Sequence, residues 1–133
     1  MSDRFPTDVR YTQEHEWARV EGDVVRVGIT HYAQDALGDI VYIELPEAGA
    51  RVTREGPFGE IQSPKAVSDL FAPVTGEIVE RNPEVVNSPE LANEDPYGEG
   101  WLVTIRPDDA GEIDGLMDAS AYEQLVQSLA EEP

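Results

Sequence analysis

Short stretches of alternating polar and apolar side chains, separated by turn residues, constrain the fold of this chain more than any other feature. Residues 24–29 and 39–45 alternate in this way, which predicts strands with one buried face. The sequence Glu21-Gly22-Asp23 predicts a tight turn between a strand at 15–20 and the strand at 24–29. Further strands are predicted at residues 58–61, 67–72, 76–81 and 101–106. Closely spaced short strands predict a mostly β fold built as a sandwich or barrel.

Two short helices are predicted between these strands. Thr30 can cap a helix over residues 30–37, which Gly38 would end by adopting a left-handed conformation. Ser88 followed by Pro89 predicts a second helix start, because serine is a favoured N-cap and proline fits the first helical position.

The C-terminal segment, at about residues 107–131, is expected to be helical. Ser120 and Glu123 form a capping box. Four apolar side chains at helical spacing predict one buried stripe, formed by Tyr122, Leu125, Val126 and Leu129. The stretch 107–117 predicts a weaker helix, because two glycines interrupt it.

A tetrapeptide recurs within the chain. The sequence Gly-Asp-Ile-Val at residues 38–41 returns as Gly-Glu-Ile-Val at residues 76–79, and each copy is predicted to follow a turn and open a strand. A true repeat would imply two similar β units related by a pseudo-twofold axis.

The composition excludes several classes of function. The net charge of −19 argues against nucleic acids and anionic membranes as partners, since both require clustered lysine and arginine. Cysteine is absent, so the chain offers no thiolate nucleophile, disulfide or cysteine-based metal site. Neither histidine has metal-ligand spacing, and no metal site is predicted. The acidity itself fits either an ordinary solvated surface or adaptation to high salt.

The length favours one domain over residues 1–133, with a β core at about 10–106 and the helical segment at about 107–131. No apolar run approaches the ~18 residues of a membrane span. We therefore expect a cytoplasmic protein, kept monomeric by its acidic surface.

Lys65 is the only lysine, and the eight other basic residues are arginines. It follows Ser63 and Pro64, which are favoured at the first two positions of a β-turn, so Lys65 falls at the tip of the predicted hairpin. A lysine amine can form an amide, whereas a guanidinium does not acylate readily. An exposed amine is almost entirely protonated at neutral pH, so acylation would need a dedicated enzyme. The pattern predicts either an ordinary surface lysine or a modification site.

Several motifs occur in the order and spacing of a known family. They are Tyr11-Thr12-Gln13-Glu14-His15-Glu16-Trp17, Gly28-Ile29-Thr30, Leu37-Gly38-Asp39-Ile40-Val41-Tyr42, Lys65-Ala66 with Ser68-Asp69, and Asp95-Pro96-Tyr97-Gly98-Glu99-Gly100-Trp101. With these motifs the chain resembles the H proteins of the glycine cleavage system from about residue 11 to residue 122. The resemblance implies a barrel-sandwich hybrid of the lipoyl-domain type. Such a fold has two antiparallel sheets with pseudo-twofold symmetry, short helices and a C-terminal α-helix.

The resemblance also implies that Lys65 carries lipoate as a lipoyl-lysine amide. The residues then expected to help the lipoylating enzyme recognise its target are Gln62, Ser63, Pro64, Ala66 and Gly76. The family usually has glutamate at the position of Gln62 and a small or β-branched residue at that of Pro64. Both positions depart from the family here.

A non-catalytic carrier role follows from the same resemblance. Glycine decarboxylase, a pyridoxal-phosphate enzyme, would load the aminomethyl group of glycine, and a tetrahydrofolate-dependent aminomethyltransferase would take it up. Dihydrolipoyl dehydrogenase, an FAD enzyme, would reoxidise the carrier. Glu14, Glu16 and Asp69 are expected to line a cleft where the arm docks, since a carboxylate favours a charged amine beside it. Plain surface acidity is the alternative for these three residues.

The sequence leaves other functions open. The main alternative is a divergent lipoyl carrier that serves another pathway, such as lipoyl relay or sulfur metabolism, and an unmodified acidic interaction domain is a second. A biotin carrier is disfavoured, because biotinylated lysines typically have methionine on both sides, whereas Pro64 and Ala66 flank Lys65. An enzyme has the least support, because the sequence offers no nucleophile–base pair.

Overall fold

The structure is a computed structural model that describes residues 5–131, so residues 1–4 and 132–133 of the expected domain lie outside it. The strands are β1 (Arg10–Tyr11), β2 (Glu16–Glu21), β3 (Val24–Ile29), β4 (Tyr42–Glu44), β5 (Arg51–Val52), β6 (Pro57–Ser63), β7 (Ala66–Phe71), β8 (Gly76–Arg81) and β9 (Val103–Pro107). The helices are α1 (His31–Leu37), α2 (Pro83–Asn87), α3 (Leu91–Glu94), α4 (Ala119–Glu131) and a 3₁₀ helix (Ala110–Gly115). Within residues 5–131, none of these helices combines the length and apolarity needed to cross a membrane.

The strands form two antiparallel sheets. The larger sheet has six strands in the order β1-β2-β3-β9-β8-β5, and the smaller has three in the order β4-β6-β7. Apolar side chains from both sheets share one core, with Val27 and Ile105 from the larger sheet and Ile43 and Ile61 from the smaller. The prediction of a mostly β fold with two antiparallel sheets, short helices and a C-terminal helix is confirmed.

Some strand boundaries differ from those predicted. The predicted strand at 39–45 begins only at Tyr42, because the chain is still leaving α1, and the amide of Ile40 donates to Asn93 Oδ1 at 2.9 Å instead of to a strand. Trp101 precedes β9, since its amide closes a turn onto the carbonyl of Gly98 at 3.1 Å. The sequence does not predict β1 and β5, each of which has only two residues.

Helix α1 has the predicted limits. Thr30 Oγ1 accepts a hydrogen bond from the amide of Ala33 at 3.2 Å, and Gly38 ends the helix with φ of 78°. The first copy of the tetrapeptide therefore begins at a helix end and does not open a strand, whereas the second copy lies in β8. The pseudo-twofold relation stays a prediction.

The helix start predicted at Ser88 is misplaced. One helix begins earlier, after Asn82, and the next begins three residues after Ser88, whose carbonyl accepts from the amide of Leu91 at 3.0 Å. Asn82 Oδ1 accepts from the amide of Glu84 at 3.1 Å, and α2 begins at Pro83. The amide of Ser88 then bonds the Glu84 carbonyl at 2.8 Å, so Ser88 ends this helix. Helix α3 follows from Leu91.

The C-terminal segment differs in a similar way. Asp118 Oδ1 accepts from the amide of Ala121 at 2.9 Å, so an aspartate caps α4 and the capping box predicted at Ser120 is wrong. Residues 107–117 contain the end of β9 and the 3₁₀ helix in place of the weaker helix predicted there. The predicted apolar stripe packs inward, with Tyr122 fully buried and the other three side chains partly buried.

Tyr122 joins α4 to three other parts of the fold. Its hydroxyl lies 2.8 Å from His15 Nδ1 and 2.7 Å from Thr30 Oγ1. Its ring stacks on Tyr11, with the centroids 4.4 Å apart and the planes at 9°. These two rings belong to a second core cluster that also contains Trp17. Helix α4 is therefore fixed by hydrogen bonds as well as by apolar packing.

Replacing Tyr122 by Phe should lower the free energy of unfolding by about 1–3 kcal/mol, because the change removes the hydrogen bonds between the Tyr122 hydroxyl and the side chains of half-buried His15 and buried Thr30. Urea unfolding would measure this change. The control is Tyr42→Phe, which removes an exposed hydroxyl and should change stability little. Equal effects of the two variants would show that the hydrogen bonds of Tyr122 add no stability.

Candidate functional site

Lys65 lies at the tip of the hairpin formed by β6 and β7. Ser63 and Ala66 are the last paired residues, so the connecting loop contains only Pro64 and Lys65. The Ser63 hydroxyl donates to the Ala66 carbonyl at 3.5 Å across the base of this loop. The side chain of Lys65 is exposed. Its predicted position at the hairpin tip is confirmed, while its modification stays a prediction.

The amine of Lys65 is available for chemistry. No carboxylate within residues 5–131 forms an ion pair with it. The side chain leans toward Gly38, where an added Cβ would lie 3.5 Å from Lys65 Cε and 3.9 Å from Nζ. The end of α1 thus leaves room beside the lysine stem.

The residues expected to guide attachment differ in their surroundings. Pro64 and Ala66 are exposed, whereas Ser63 is buried. Gln62 is half-buried, and its Nε2 donates to Glu60 Oε2 at 2.5 Å, two positions earlier on the same strand face. Their role in recognition stays a prediction.

Gly76 lies away from the hairpin, at the start of β8 in the larger sheet. A Cβ at this position would lie 2.1 Å from the carbonyl oxygen of Arg106, so the close approach of β8 and β9 requires glycine. The close packing of the two strands explains why residue 76 is a glycine. The predicted part of Gly76 in recognition by the lipoylating enzyme stays a prediction.

A cleft of about 360 Å³ opens at the end of β7 opposite the hairpin tip. Its walls include Glu14, Glu16, Arg54 and Phe71. The structure thus brings together two of the three acidic residues predicted for an arm-docking cleft. Asp69 does not line this cleft but is exposed on β7, between the tip and the cleft.

Glu16 is the most unusual acid of the cleft, because only 1% of its surface is exposed. Its carboxylate accepts hydrogen bonds from Thr12 Oγ1 at 2.7 Å and from the amide of Phe71 at 3.1 Å. Burial raises the pKa of Glu16 to about 8, and the two hydrogen bonds oppose part of that rise. The carboxyl is therefore mostly protonated at neutral pH unless a cation lies beside it.

A backbone kink separates the two acids. His15 has φ of 72°, in a region that non-glycine residues rarely occupy, and Glu55 on the cleft wall has φ of 68°. The kink turns Glu14 outward and Glu16 inward. The His15 ring is held by the Tyr122 hydroxyl, and burial lowers the pKa of His15, which favours its neutral form.

Sequence reasoning missed Thr12, Arg54 and Phe71 as parts of this cleft. Phe71 contributes a backbone amide, which no side-chain pattern could reveal. Thr12 precedes Glu16 by four residues, but outside a helix this spacing predicts no contact. Arg54 belongs to a loop whose path depends on a hydrogen bond from its amide to Thr75 Oγ1 at 2.9 Å.

Comparison with known proteins identifies the family of this chain. The family model described as glycine cleavage H-protein matches residues 9–129, which include both the hairpin and the cleft. The chain belongs to the glycine cleavage H-protein family.

Relatives in this family match nearly end to end. The glycine cleavage system H protein of Myxococcus xanthus (strain DK1622) is 52% identical over 128 residues, covering 96% of this chain and 99% of the relative. That of Bacillus subtilis (strain 168) is 51% identical over 123 residues, covering 92% and 97%. A crystal structure of the glycine cleavage system H protein from Mycobacterium marinum superposes with a TM-score of 0.85 at 44% identity, covering 92% of this chain and 98% of that one.

Replacing Glu16 by Gln should remove one source of pH dependence from the stability of this H-protein family member. The ordinary pKa of 4.5 is raised to about 8 by folding, so the folded chain binds a proton that the unfolded chain releases between these values. The stability associated with this proton is present below pH 4.5 and is lost as the pH rises through 8. Relative to Glu16→Gln, the wild type should lose stability from about pH 5 to about pH 8.

Urea unfolding across this pH range measures the difference. Asp35→Asn is the matched control, because Asp35 is an exposed acid on α1 outside the cleft, and this variant should keep the wild-type profile. A constant difference between wild type and Glu16→Gln at all pH values would contradict the raised pKa.

Proposed function

We propose that this chain is the lipoyl carrier of a glycine cleavage system and that lipoate forms an amide with Nζ of Lys65. The observation that carries the proposal is that the only lysine of the chain stands exposed at the tip of a tight hairpin and forms no ion pair with residues 5–131. The attached dithiolane would supply the sulfur chemistry that this cysteine-free chain lacks, by accepting the aminomethyl group of glycine and undergoing reduction and reoxidation.

In this proposal the chain itself catalyses no step. Glycine decarboxylase loads the group, the tetrahydrofolate-dependent aminomethyltransferase receives it, and dihydrolipoyl dehydrogenase restores the oxidised carrier. A lipoylating enzyme acts before all three. We further infer that the carrier works in the cytoplasm as a monomer, because a charge of −19 opposes association of identical copies.

The cleft is the proposed resting place for the charged end of the arm. Glu14 offers an exposed carboxylate to an ammonium group, and Glu16 offers a buried one. An ammonium group beside Glu16 would lower the pKa of that carboxyl and favour its ionised form. Thr12 and the amide of Phe71 keep the Glu16 carboxyl oriented.

Asp69 has a different proposed role. Phe71 ends β7 six positions after Lys65, which directly precedes the strand, so the two residues are roughly 20 Å apart along an extended chain. An arm that starts at Lys65 and ends in the cleft therefore runs along β7, and Asp69 lies on that route. We infer that its exposed carboxylate guides the charged end of the arm into the cleft.

A divergent lipoyl carrier for another pathway is the second candidate. The observation that favours it is Gln62, where the family usually has a glutamate, together with Pro64 beside the lysine. Reconstitution with the three enzymes separates the candidates, because lipoylated protein that supports no glycine–bicarbonate exchange would favour the divergent carrier.

Lys65→Arg should abolish attachment while leaving the fold intact, because the side chain is exposed and its charge is kept. Intact mass after incubation with lipoate, ATP and a lipoate ligase should show one lipoyl adduct on the wild type and none on the variant. Glycine–bicarbonate exchange should fall to background. The control is Lys65→Arg with Arg106→Lys, which moves the lysine to β9 and should also remain unmodified. An adduct on that control, or exchange by Lys65→Arg, would contradict the assignment.

Glu14→Gln should shorten the lifetime of the carried group, because one carboxylate of the cleft no longer holds its ammonium. The expected result is faster release of ammonia into buffer from loaded carrier when no tetrahydrofolate is present. Asp35→Asn, an exposed acid on α1 outside the cleft, is the matched control and should release ammonia at the wild-type rate. Identical rates for all three proteins would remove Glu14 from the docking site.

A further inference from the structure

The two sheets differ sharply in their basic residues. Every strand of the larger sheet carries one arginine, namely Arg10, Arg19, Arg26, Arg51, Arg81 and Arg106. The strands of the smaller sheet contain neither arginine nor lysine. All ion pairs between residues 5–131 use arginines of the larger sheet. The acids of the smaller sheet therefore have no cationic partner within the described chain.

Those acids lie in a row across the smaller sheet. Glu44 of β4 is directly opposite Glu60 of β6, which is directly opposite Asp69 of β7. Like charges in directly opposite positions destabilise a sheet. Within residues 5–131, only the carboxylate of Glu60 in this row gains a hydrogen bond from another side chain, that of Gln62.

Exposed apolar side chains lie on the same face, next to the hairpin tip. Tyr42 and Val67 flank Gln62 in the neighbouring row, and they are 46% and 63% exposed. Their strand neighbours on the opposite side, such as Ile43 and Ile61, are buried in the core. We call the exposed side the small-sheet face, formed by Tyr42, Glu44, Glu60, Gln62, Val67 and Asp69. The small-sheet face thus combines two exposed apolar side chains with the row of three acids.

We propose that the small-sheet face is the docking surface for the enzyme that acylates Lys65, and that this enzyme presents a surface rich in arginine or lysine beside its active site. The inference rests on the proposed function. An acylating enzyme acts before any arm exists, so it has to recognise the polypeptide around the amine. The small-sheet face begins at Gln62 and Val67, each next to a residue that flanks the tip.

Charge selects the occupant of this face. The unneutralised row of Glu44, Glu60 and Asp69 attracts a basic surface and speeds its approach, while Tyr42 and Val67 supply the apolar contact. A second copy of this chain would bring its own charge of −19 against the row, so self-association is disfavoured.

The test compares two triple variants that change the net charge equally. The face variant is Glu44→Gln, Glu60→Gln and Asp69→Asn, and the control variant neutralises the exposed acids Glu47, Asp114 and Glu123. Unmodified full-length protein is incubated with lipoate, ATP and a purified lipoate ligase, and intact mass gives the initial rate. The kcat/KM for the face variant should fall about tenfold at low salt, and the control should stay within about twofold of the wild type. The difference should shrink at high salt, because the ions screen the attraction.

Each further outcome has a distinct meaning. Equal rates for wild type and both triple variants would overturn the docking surface while leaving Lys65 as the attachment site. A wild type that acquires no adduct would overturn the proposed function and the docking surface together. Concentration-dependent self-association of the wild type, lost in the face variant, would assign the face to a second copy and overturn the inference.

Stability provides the remaining control. Removing opposed carboxylates should keep or raise the free energy of unfolding of the face variant, so slower acylation cannot be attributed to unfolding. If the triple variant is less stable than the wild type, the single variants Glu44→Gln and Asp69→Asn decide the question in the same assay. Unchanged kcat/KM in both would overturn the inference.

Discussion

The hydroxyl of Tyr122 connects the two parts of the molecule on which the proposed function depends. Through Thr30 it fixes the start of α1, the helix that ends at Gly38 beside the stem of Lys65. Through His15 it fixes the kink that turns Glu14 outward and Glu16 inward. One buried hydroxyl on the C-terminal helix therefore holds in place both the helix beside the attachment hairpin and the backbone kink at the cleft.

The cleft combines a carboxyl group that is costly to ionise with a structure that keeps it in place. Glu16 is buried, and its hydrogen bonds come from Thr12 and from the backbone of β7 rather than from a basic side chain. An arginine beside Glu16 would have kept its carboxylate ionised and paired at all times. Hydrogen bonds alone leave its charge responsive to whatever enters the cleft, which suits a site that holds a cation only part of the time.

Local sequence patterns could predict only those features that depend on residues close together in the chain. Alternation and turn residues predicted the mostly β fold, whereas its two antiparallel sheets were implied by the family resemblance. Ser63-Pro64 predicted the position of Lys65 at the tip. The caps predicted at Ser88 and Ser120 are wrong. Asp118 caps α4 two residues before Ser120, and α3 begins at Leu91 without a side-chain cap. A sequence pattern cannot rank competing caps. The family motifs led to Glu14 and Glu16, but the contribution of Phe71 to the cleft is a backbone amide, which depends on how distant strands pair.

The unequal distribution of arginine between the sheets has a further consequence. The ion pairs of Arg19, Arg26, Arg51 and Arg106 offset part of the negative charge around the larger sheet. The acids of the smaller sheet have no such partner within residues 5–131, and the hairpin that bears Lys65 belongs to that sheet. A basic surface that contacts these acids therefore has no intramolecular ion pair to break first.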